Sequence, residues 1–149
     1  MNPMTETILL VEDNPDDIEL TKRAFQKNAI ANNLVVAHDG IEALDYLFCR
    51  GKYASRNIKE TPRLILLDLK LPKMDGLQVL EHLRANGCTR LVPVVILTSS
   101  KEEQDLISGY KNGANSYVRK PINFNEFVDA VRNIGLYWLL INEPPPDKC

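Results

Sequence analysis

The sequence predicts an α/β protein with a doubly wound, five-stranded parallel sheet. Short apolar runs rich in branched residues alternate with segments that begin like helices, and this alternation occurs five times in 149 residues. Continuous apolar runs are typical of parallel strands that helices cover on both faces. Connections between parallel strands are right-handed, so we expect the intervening helices on both faces of the sheet.

The strands are assigned from the apolar runs. Each run is short, and all but the second lead into polar residues of unusual kind at the point where the strand ends. In chain order, the predicted strands are Thr7–Val11, Leu34–Ala37, Leu64–Leu67, Val94–Leu97 and Ser116–Val118.

The helices are assigned from their start signals. Asn14 and Pro15 place a capping residue before a first-turn proline, and Asp16 and Asp17 follow near the positive end of the helix. Each of the other four helices begins with a polar residue followed three positions later by Glu or Gln, which is the pattern of a capping box. These pairs are Asp39 with Glu42, Asp75 with Gln78, Ser100 with Glu103, and Asn123 with Glu126.

Two segments lie outside the alternation of strands and helices. Arg50–Pro62 is a polar connection that is longer than usual. Asn142–Cys149 contains three consecutive prolines, which cannot continue a helix, so it is predicted to be an exposed tail. The length fits one domain, residues 1–141, followed by the proline-rich tail, residues 142–149.

The composition excludes several classes of function. The net charge is −2 and the charges of both signs are interspersed, so the basic face that nucleic acid requires is not expected. The longest apolar run, Gly135–Ile141, is far too short to cross a membrane, and the N-terminus has no signal-peptide pattern. Because Cys49, Cys88 and Cys149 lack metal-binding or redox spacing, we expect reduced thiols in a cytoplasmic protein.

The polar residues that end the strands predict a site. Since the carboxyl ends of parallel strands meet at one edge of the sheet, where such sheets bind ligands, these side chains are expected to converge. Helix capping is the alternative role for the acids, but Asn14 and Asp75 already supply the caps that follow them. For Thr98 and Lys120 the alternatives are ordinary strand propensity and a solvated charge. The converging residues are Glu12, Asp13, Asp68, Thr98, Ser99 and Lys120.

This set suits Mg²⁺ and a phosphoryl group. Three converging carboxylates repel one another unless they are protonated or bridged by a cation, and Mg²⁺ prefers oxygen ligands. Asp68 is the predicted phosphoryl acceptor, and Lys120, the hydroxyl of Thr98 and the backbone N–H of Ser99 are predicted to hold the phosphoryl oxygens. The resulting mixed anhydride is labile, which suits a reversible signal.

Four motifs, ILLVEDN, LILLDLKLPKMDG, VVILTSS and GANSYVRKP, resemble the receiver domain of bacterial two-component response regulators. The resemblance covers Glu6 to Trp138 and implies a flavodoxin-like (βα)5 fold with strand order 2-1-3-4-5. It also implies that Asp68 accepts its phosphoryl group from a histidine of a sensor kinase. The implied Mg²⁺ ligands are Asp13, Asp68 and the backbone carbonyl of Lys70, with Glu12 acting largely through water.

The same resemblance implies a switch. Thr98 is drawn toward the new phosphoryl oxygens and Tyr117 turns inward, which changes the surface formed by the fourth helix, the fifth strand and the fifth helix. The alternative for Tyr117 is a strand aromatic that does not move. The family pattern further implies a cis peptide bond before Pro121, and the sequence departs from that pattern in having Glu12 and Lys70.

The ending GLYWLLINEPPP and the insert around Gly51-Lys52-Tyr53 resemble small stand-alone regulators, some of which serve phytochrome-type kinases. That resemblance implies a phytochrome-type sensor histidine kinase as the partner. The end of the last helix is apolar all round, which predicts a homodimer or partner contact through Tyr137, Trp138, Leu140 and Ile141. The alternative is that the tail or the long polar connection covers these residues.

Four functions are compared. The leading one is a stand-alone phosphoacceptor signalling domain, which is not an enzyme but assists its own phosphoryl transfer and dephosphorylation. The second is a phosphorelay intermediate that passes its phosphoryl group to another protein's histidine. A phosphatase of the haloacid dehalogenase type is disfavoured, because it requires an acid at the position of Lys70. A receiver that works without phosphorylation is disfavoured by the intact set of acids, Thr98 and Lys120.

Overall fold

The computed structural model describes residues 6–146 and has the predicted architecture. Five parallel strands form one sheet in the order β2-β1-β3-β4-β5, which confirms the predicted fold and strand order. The strands are β1 Thr7–Val11, β2 Asn33–Ala37, β3 Leu64–Leu67, β4 Val94–Thr98 and β5 Ser116–Arg119. The helices are α1 Pro15–Lys27, α2 Gly40–Leu47, α3 Gly76–Ala85, α4 Glu103–Lys111 and α5 Phe124–Gly135. A short 3₁₀ helix, Gly51–Tyr53, follows α2, and a π-helical segment, Leu136–Ile141, continues α5.

The core lies in two layers, one on each face of the sheet. Alternate residues of a strand point to opposite faces, so Leu9 packs in one layer and Leu10 in the other. All four residues of β3 are buried, as are all five of β4. Burial on both faces explains why the central strands are apolar throughout instead of alternating.

The register of the strands brings their carboxyl ends to one edge. Val11 of β1 pairs with Leu67 of β3, and Thr98 of β4 pairs with Arg119 of β5. The main-chain pairing continues one residue past the central strands, since the N–H of Asp68 donates to the carbonyl of Val11 at 3.1 Å. Residues that follow the strands therefore start from one edge.

Most predicted helix starts are confirmed. The side chain of Asn14 accepts hydrogen bonds at the start of α1, and those of Asp39 and Asn123 do so at the starts of α2 and α5. Asp75 forms the full capping box with Gln78. The prediction for Ser100 was wrong: the N-cap of α4 is Glu102, and no side chain caps it. The hydroxyl of Ser100 instead donates to the carboxylate of Asp105 at 2.6 Å.

The polar connection after α2 is anchored by a half-buried acid. Glu42 accepts a hydrogen bond from the hydroxyl of Tyr53 at 2.9 Å and pairs with the ammonium of Lys52 at 3.0 Å, and it also contacts His38. Burial alone would raise the pKa of Glu42, but its hydrogen bonds from His38, Lys52 and Tyr53 outweigh burial and lower that pKa to about 2. The connection therefore packs as an ordered segment against α2.

The predicted tail lies beside that connection. Pro144 and Pro145 line a cavity of about 530 Å³ together with residues of the connection, among them Arg56 and Lys59. The last three residues of the predicted tail lie outside the described residues.

The structure corrects one prediction about the cysteines. Cys49 has a free thiol, but Cys88 is disulfide-bonded, so the expectation of reduced thiols was wrong for Cys88. Disulfide pairing depends on which cysteines the fold brings together, and spacing along the chain does not reveal it. Among residues 6–146, no helix combines the length and the apolar character that a membrane span requires.

Candidate functional site

Three carboxylates converge at the carboxyl edge of the sheet. Oxygen atoms of Glu12, Asp13 and Asp68 lie within 4.8 Å of one another. Glu12 and Asp68 are buried, with 2% and 8% of their surfaces exposed, whereas Asp13 is open to solvent. The sheet holds the two buried acids through their main chain. The N–H of Glu12 donates to the carbonyl of Ala37 at 2.9 Å, and the N–H of Asp68 donates to the carbonyl of Val11.

Asp68 is fixed by main-chain donors and by a returning loop. One carboxylate oxygen accepts hydrogen bonds from the N–H of Leu69 at 2.7 Å and that of Lys70 at 3.4 Å. The loop then folds back over the strand end, and a Cβ atom on Gly76 would lie only 2.2 Å from the carbonyl oxygen of Asp68. Glycine at position 76 therefore allows the close approach that encloses this acid.

Lys120, the residue directly after β5, neutralises the acids. Its ammonium lies 3.0 Å from a carboxylate oxygen of Asp68 and 2.9 Å from one of Asp17, and it also donates to Glu12. Only 9% of the lysine side chain is exposed. Its backbone N–H donates to the carbonyl of Thr98 at 2.8 Å, which positions the side chain over the edge of the sheet.

Sequence reasoning assigned Asp17 to the start of α1 and missed its contact with Lys120. The available signal was position: Asp17 lies in the first turn of a helix that begins directly after the acid pair. A helical turn there returns toward the sheet edge, so Asp17 had a second possible partner besides the helix dipole.

Contacts between Glu12, Asp68 and Lys120 change the pKa values of Glu12 and Lys120. Burial and the charge of Asp68 raise the pKa of Glu12, the hydrogen bond from Lys120 opposes both, and the net result is a pKa raised to about 7. Burial also opposes the charge of Lys120, but the hydrogen bond to Glu12 and the charge of Asp68 outweigh it and raise the pKa of Lys120. The ammonium of Lys120 is therefore charged at neutral pH.

The donor set fits a hard divalent cation. Oxygen ligands from carboxylates are what Mg²⁺ requires, and it binds proteins through one or two carboxylates while it keeps several waters. Asp13 is exposed and lies within 4.8 Å of Glu12 and Asp68, so both carboxylate oxygens and solvent are available there. These three acids, with the carbonyl of Lys70 nearby in sequence, are the residues that would hold Mg²⁺.

The predicted hydroxyl residues come from the end of β4, the loop after it, and β5. Thr98 is the last residue of β4 and is fully buried, and its hydroxyl accepts from the N–H of Ser100 at 3.4 Å. Ser99 is exposed. Tyr117 lies on β5, half-buried, and its hydroxyl donates to the carbonyl of Ser100 at 3.3 Å. In the part of the chain that is described, no hydrogen bond joins Thr98 or Ser99 to Asp68.

The prediction of a cis peptide bond before Pro121 was wrong. The bond is trans, as are all other peptide bonds in residues 6–146. The trans form is the favoured one for most prolines, and Lys120 reaches the acids from it because its N–H pairs with Thr98 at the end of the sheet.

A second polar cluster lies next to the site, and sequence reasoning also missed its central residue. Asp105 of α4 is buried, and one of its oxygens lies 3.3 Å from the ammonium of Lys70 and 2.6 Å from the hydroxyl of Ser100. The hydrogen bond from Ser100 and the charge of Lys70 lower the pKa of Asp105 despite its burial. The sequence carried no signal for this role of Asp105, because its partners Lys70 and Ser100 lie in two other segments.

The predicted interface residues divide into two groups. Tyr137, Leu140 and Ile141 are exposed, with Leu140 the most exposed at 73%. Trp138 is half-buried and packs against the core, with its ring edge-to-face to that of Tyr137 at 5.0 Å. The surface therefore consists mainly of Tyr137, Leu140 and Ile141.

The sequence matches one protein family over most of its length. The family described as the response regulator receiver domain matches residues 8–132. The probable methanogenesis regulatory protein FilR2 of Methanothrix harundinacea is 40% identical over 138 residues, which cover 93% of this chain and 86% of that protein. Response regulator Rcp1 of Synechocystis is 37% identical over 134 residues, which cover 90% of this chain and 89% of Rcp1.

Solved structures of similar proteins have the same fold. The phosphorylated cyanobacterial phytochrome response regulator RcpA superposes with a TM-score of 0.88 at 36% identity, over 95% of this chain and 99% of RcpA. The Mn²⁺-bound form of Rcp1 superposes with a TM-score of 0.86 at 35% identity, with the same shares covered. The chain is thus similar to phytochrome-associated response regulators, and its sheet is the flavodoxin-like sheet of that family.

Proposed function

Because the chain belongs to the response regulator receiver domain family, whose members are two-component signalling domains, we propose that it accepts a phosphoryl group on Asp68 with Mg²⁺. The observation that supports this most strongly is the enclosure of Asp68 between Lys120 at 3.0 Å and two further acids within 4.8 Å. An acceptor, a cation for the phosphoryl oxygens and a set of metal ligands are thus combined at one edge.

The transfer follows from this arrangement. A carboxylate oxygen of Asp68 forms the new P–O bond as the P–N bond to the kinase histidine breaks, and the released imidazole takes its proton from solvent. Mg²⁺ held by Glu12, Asp13 and Asp68 would supply positive charge to balance that of the phosphoryl oxygens. The hydrogen bonds from the N–H groups of Leu69 and Lys70 hold one oxygen of Asp68, which orients the carboxylate for in-line attack.

Lys120 and the hydroxyl residues respond to the product. The phosphoryl group adds a charge of about −1.5 to −2, which attracts the Lys120 ammonium away from Glu12 and Asp17. Thr98 then turns its hydroxyl from Ser100 toward a phosphoryl oxygen, and Tyr117 moves into the vacated space. This changes the surface of α4, β5 and α5, through which the protein signals by contact.

Mass spectrometry after treatment with acetyl phosphate and Mg²⁺ tests the proposal. We expect a single phosphoryl adduct on the parent protein, none on D68N, and an adduct on D16N, which removes an exposed acid outside the site. Equal labelling of D68N and the parent protein would overturn the assignment of Asp68.

We further propose that the phosphoryl donor is a phytochrome-type histidine kinase in the cytoplasm. The similarity to RcpA and Rcp1 over most of the chain supports this partner. Phosphotransfer from a purified phytochrome kinase should be faster than from an unrelated sensor kinase at equal concentration. Equal rates from both kinases would contradict the assignment.

A homodimer through the end of the last helix is also proposed. Tyr137, Leu140 and Ile141 form an exposed apolar surface beyond α5, which is typical of an interaction site. We expect light scattering to give a dimer mass for the parent protein and a monomer mass for L140E. I122E is the matched control, because Ile122 is 99% exposed but lies elsewhere, and it should stay dimeric. A monomeric parent protein would exclude the dimer.

A further inference from the structure

Helix α4 is the least anchored of the five helices. It buries only two residues, Asp105 and Gly109, whereas each of the other helices buries four or more. It is also the one α-helix in residues 6–146 that begins without a side-chain cap, since Glu102 makes no capping hydrogen bond. The start of α4 must therefore be held by other contacts.

Asp105 supplies these contacts from the first turn of α4. One of its oxygens accepts from the hydroxyl of Ser100 at 2.6 Å and pairs with the ammonium of Lys70 at 3.3 Å. The hydroxyl of Ser100 also accepts from the N–H of Glu102 at 3.3 Å, which fixes the residue that precedes the helix without capping it. The helix start is thus tied to the loops after β3 and β4.

The same contacts connect α4 with the phosphoacceptor. Lys70 lies two residues after Asp68, and its N–H donates to that carboxylate at 3.4 Å. The carbonyl of Ser100 accepts from Tyr117, and its N–H donates to Thr98. A change at Asp68 therefore has a short path to the start of α4 through the Lys70 side chain.

We propose that Asp105 is a positioning residue that holds the ammonium of Lys70 away from Asp68 in the unphosphorylated protein and releases it, loosening the start of α4, when a phosphoryl group competes for that cation. The inference rests on the proposed phosphorylation of Asp68. It adds a second coupling element beside Thr98 and Tyr117, at a residue that the family motifs quoted above do not include.

The competition has a clear direction. A phosphoryl group offers about −1.5 to −2 charges and three acceptor oxygens, against the single charge of the Asp105 carboxylate. The Lys70 side chain is 66% exposed, so little packing opposes its movement. Once Lys70 leaves, Asp105 retains only Ser100, and a helix with two buried residues loses one of its few anchors.

Amide hydrogen exchange at residues 103–111 tests the inference. Without a phosphodonor, D105N and K70Q should each raise exchange at the start of α4 by about 2- to 5-fold, the range of a partly exposed ion pair. The double variant should exchange no faster than either single variant. K70R, which keeps the pair, should exchange like the parent protein.

Phosphorylation supplies the readout that a merely structural role would not change. It should raise α4 exchange in the parent protein and in K70R, and have a smaller effect in K70Q and D105N, where the pair is already absent. K73Q is the matched control. Lys73 lies in the same loop as Lys70 and forms a similar pair, with its ammonium 3.6 Å from a carboxylate oxygen of Asp39. It should respond like the parent protein.

The outcomes separate this inference from the proposed function. Unchanged α4 exchange in unphosphorylated D105N and K70Q, or a full response of both variants to phosphorylation, would overturn the role of Asp105 even if Asp68 is labelled. If the parent protein gains no phosphoryl adduct, the proposed function fails, and the release of Lys70 fails with it.

Discussion

Replacing Asp13 with Asn should remove most of the stabilisation by Mg²⁺ while leaving the metal-free protein at least as stable as the parent. Asp13 is exposed, so its substitution creates no cavity and leaves no buried partner unpaired. Its carboxylate lies within 4.8 Å of two other carboxylates, and at that distance two unit charges repel by about 0.9 kcal/mol in water. Removing the charge of Asp13 relieves both repulsions and should therefore raise the stability of the metal-free protein by about 1–2 kcal/mol.

The effect on metal binding has the opposite sign. At a Mg²⁺ concentration 100 times its Kd, binding stabilises the parent protein by about 2.7 kcal/mol. For a chain of this size each kcal/mol corresponds to about 2–4 °C in Tm, so Mg²⁺ should raise Tm by about 5–11 °C. Loss of a carboxylate ligand that weakens binding about 100-fold leaves [Mg²⁺] near Kd, where the gain is only about 0.4 kcal/mol, or about 1 °C.

Thermal unfolding monitored by circular dichroism, with EDTA and with increasing Mg²⁺, measures both effects. D16N is the matched control, because Asp16 is an exposed acid in the same helix start but is not part of the acid cluster. We expect D16N to gain as much from Mg²⁺ as the parent protein. An equal Mg²⁺ increment in D13N and D16N would refute the assignment of Asp13 as a metal ligand.

Three further predictions concern stability. K120Q should lower the free energy of unfolding by about 3 kcal/mol in urea titrations without Mg²⁺, since it leaves buried acids unpaired. Mg²⁺ should recover part of this loss. An unchanged urea midpoint would contradict the role of the ammonium. G76A should cost more than about 2 kcal/mol by the same assay, because the new Cβ would lie 2.2 Å from the carbonyl oxygen of Asp68, whereas G87A, where nothing lies within 4 Å, should not. The pKa of Glu42 is lowered to about 2 from 4.5, so its ionised form stabilises the fold fully above pH 4.5, and this contribution disappears as the pH falls toward 2. Urea titrations over that range should therefore show a flatter pH dependence for E42Q than for the parent protein, and parallel curves would contradict the anchoring of the polar connection by this acid.

Local patterns predicted the fold and most of the site membership. The strands follow from continuous apolar runs, and the helix starts follow from polar caps, because both depend on residues close together in the chain. Parallel strand order then requires that the residues after the strands share an edge, which is why Glu12, Asp13 and Asp68 could be grouped before any coordinates were known. The start of α4 was the exception, since the hydroxyl of Ser100 bonds to Asp105 and does not cap the helix.

Only the tertiary structure decided which side chains pair. Lys120 lies more than 100 residues from Asp17 along the chain, and Lys70 is separated from Asp105 by a strand and a helix, yet both pairs are in contact. No periodicity or spacing encodes such a contact, because it depends on the direction of each side chain and on how the loops close over the sheet edge. Most residues of the site could therefore be predicted from the sequence. The ion pairs that set their charge, and the contact between α4 and the loop after Asp68, depend on packing between segments that are distant in the chain.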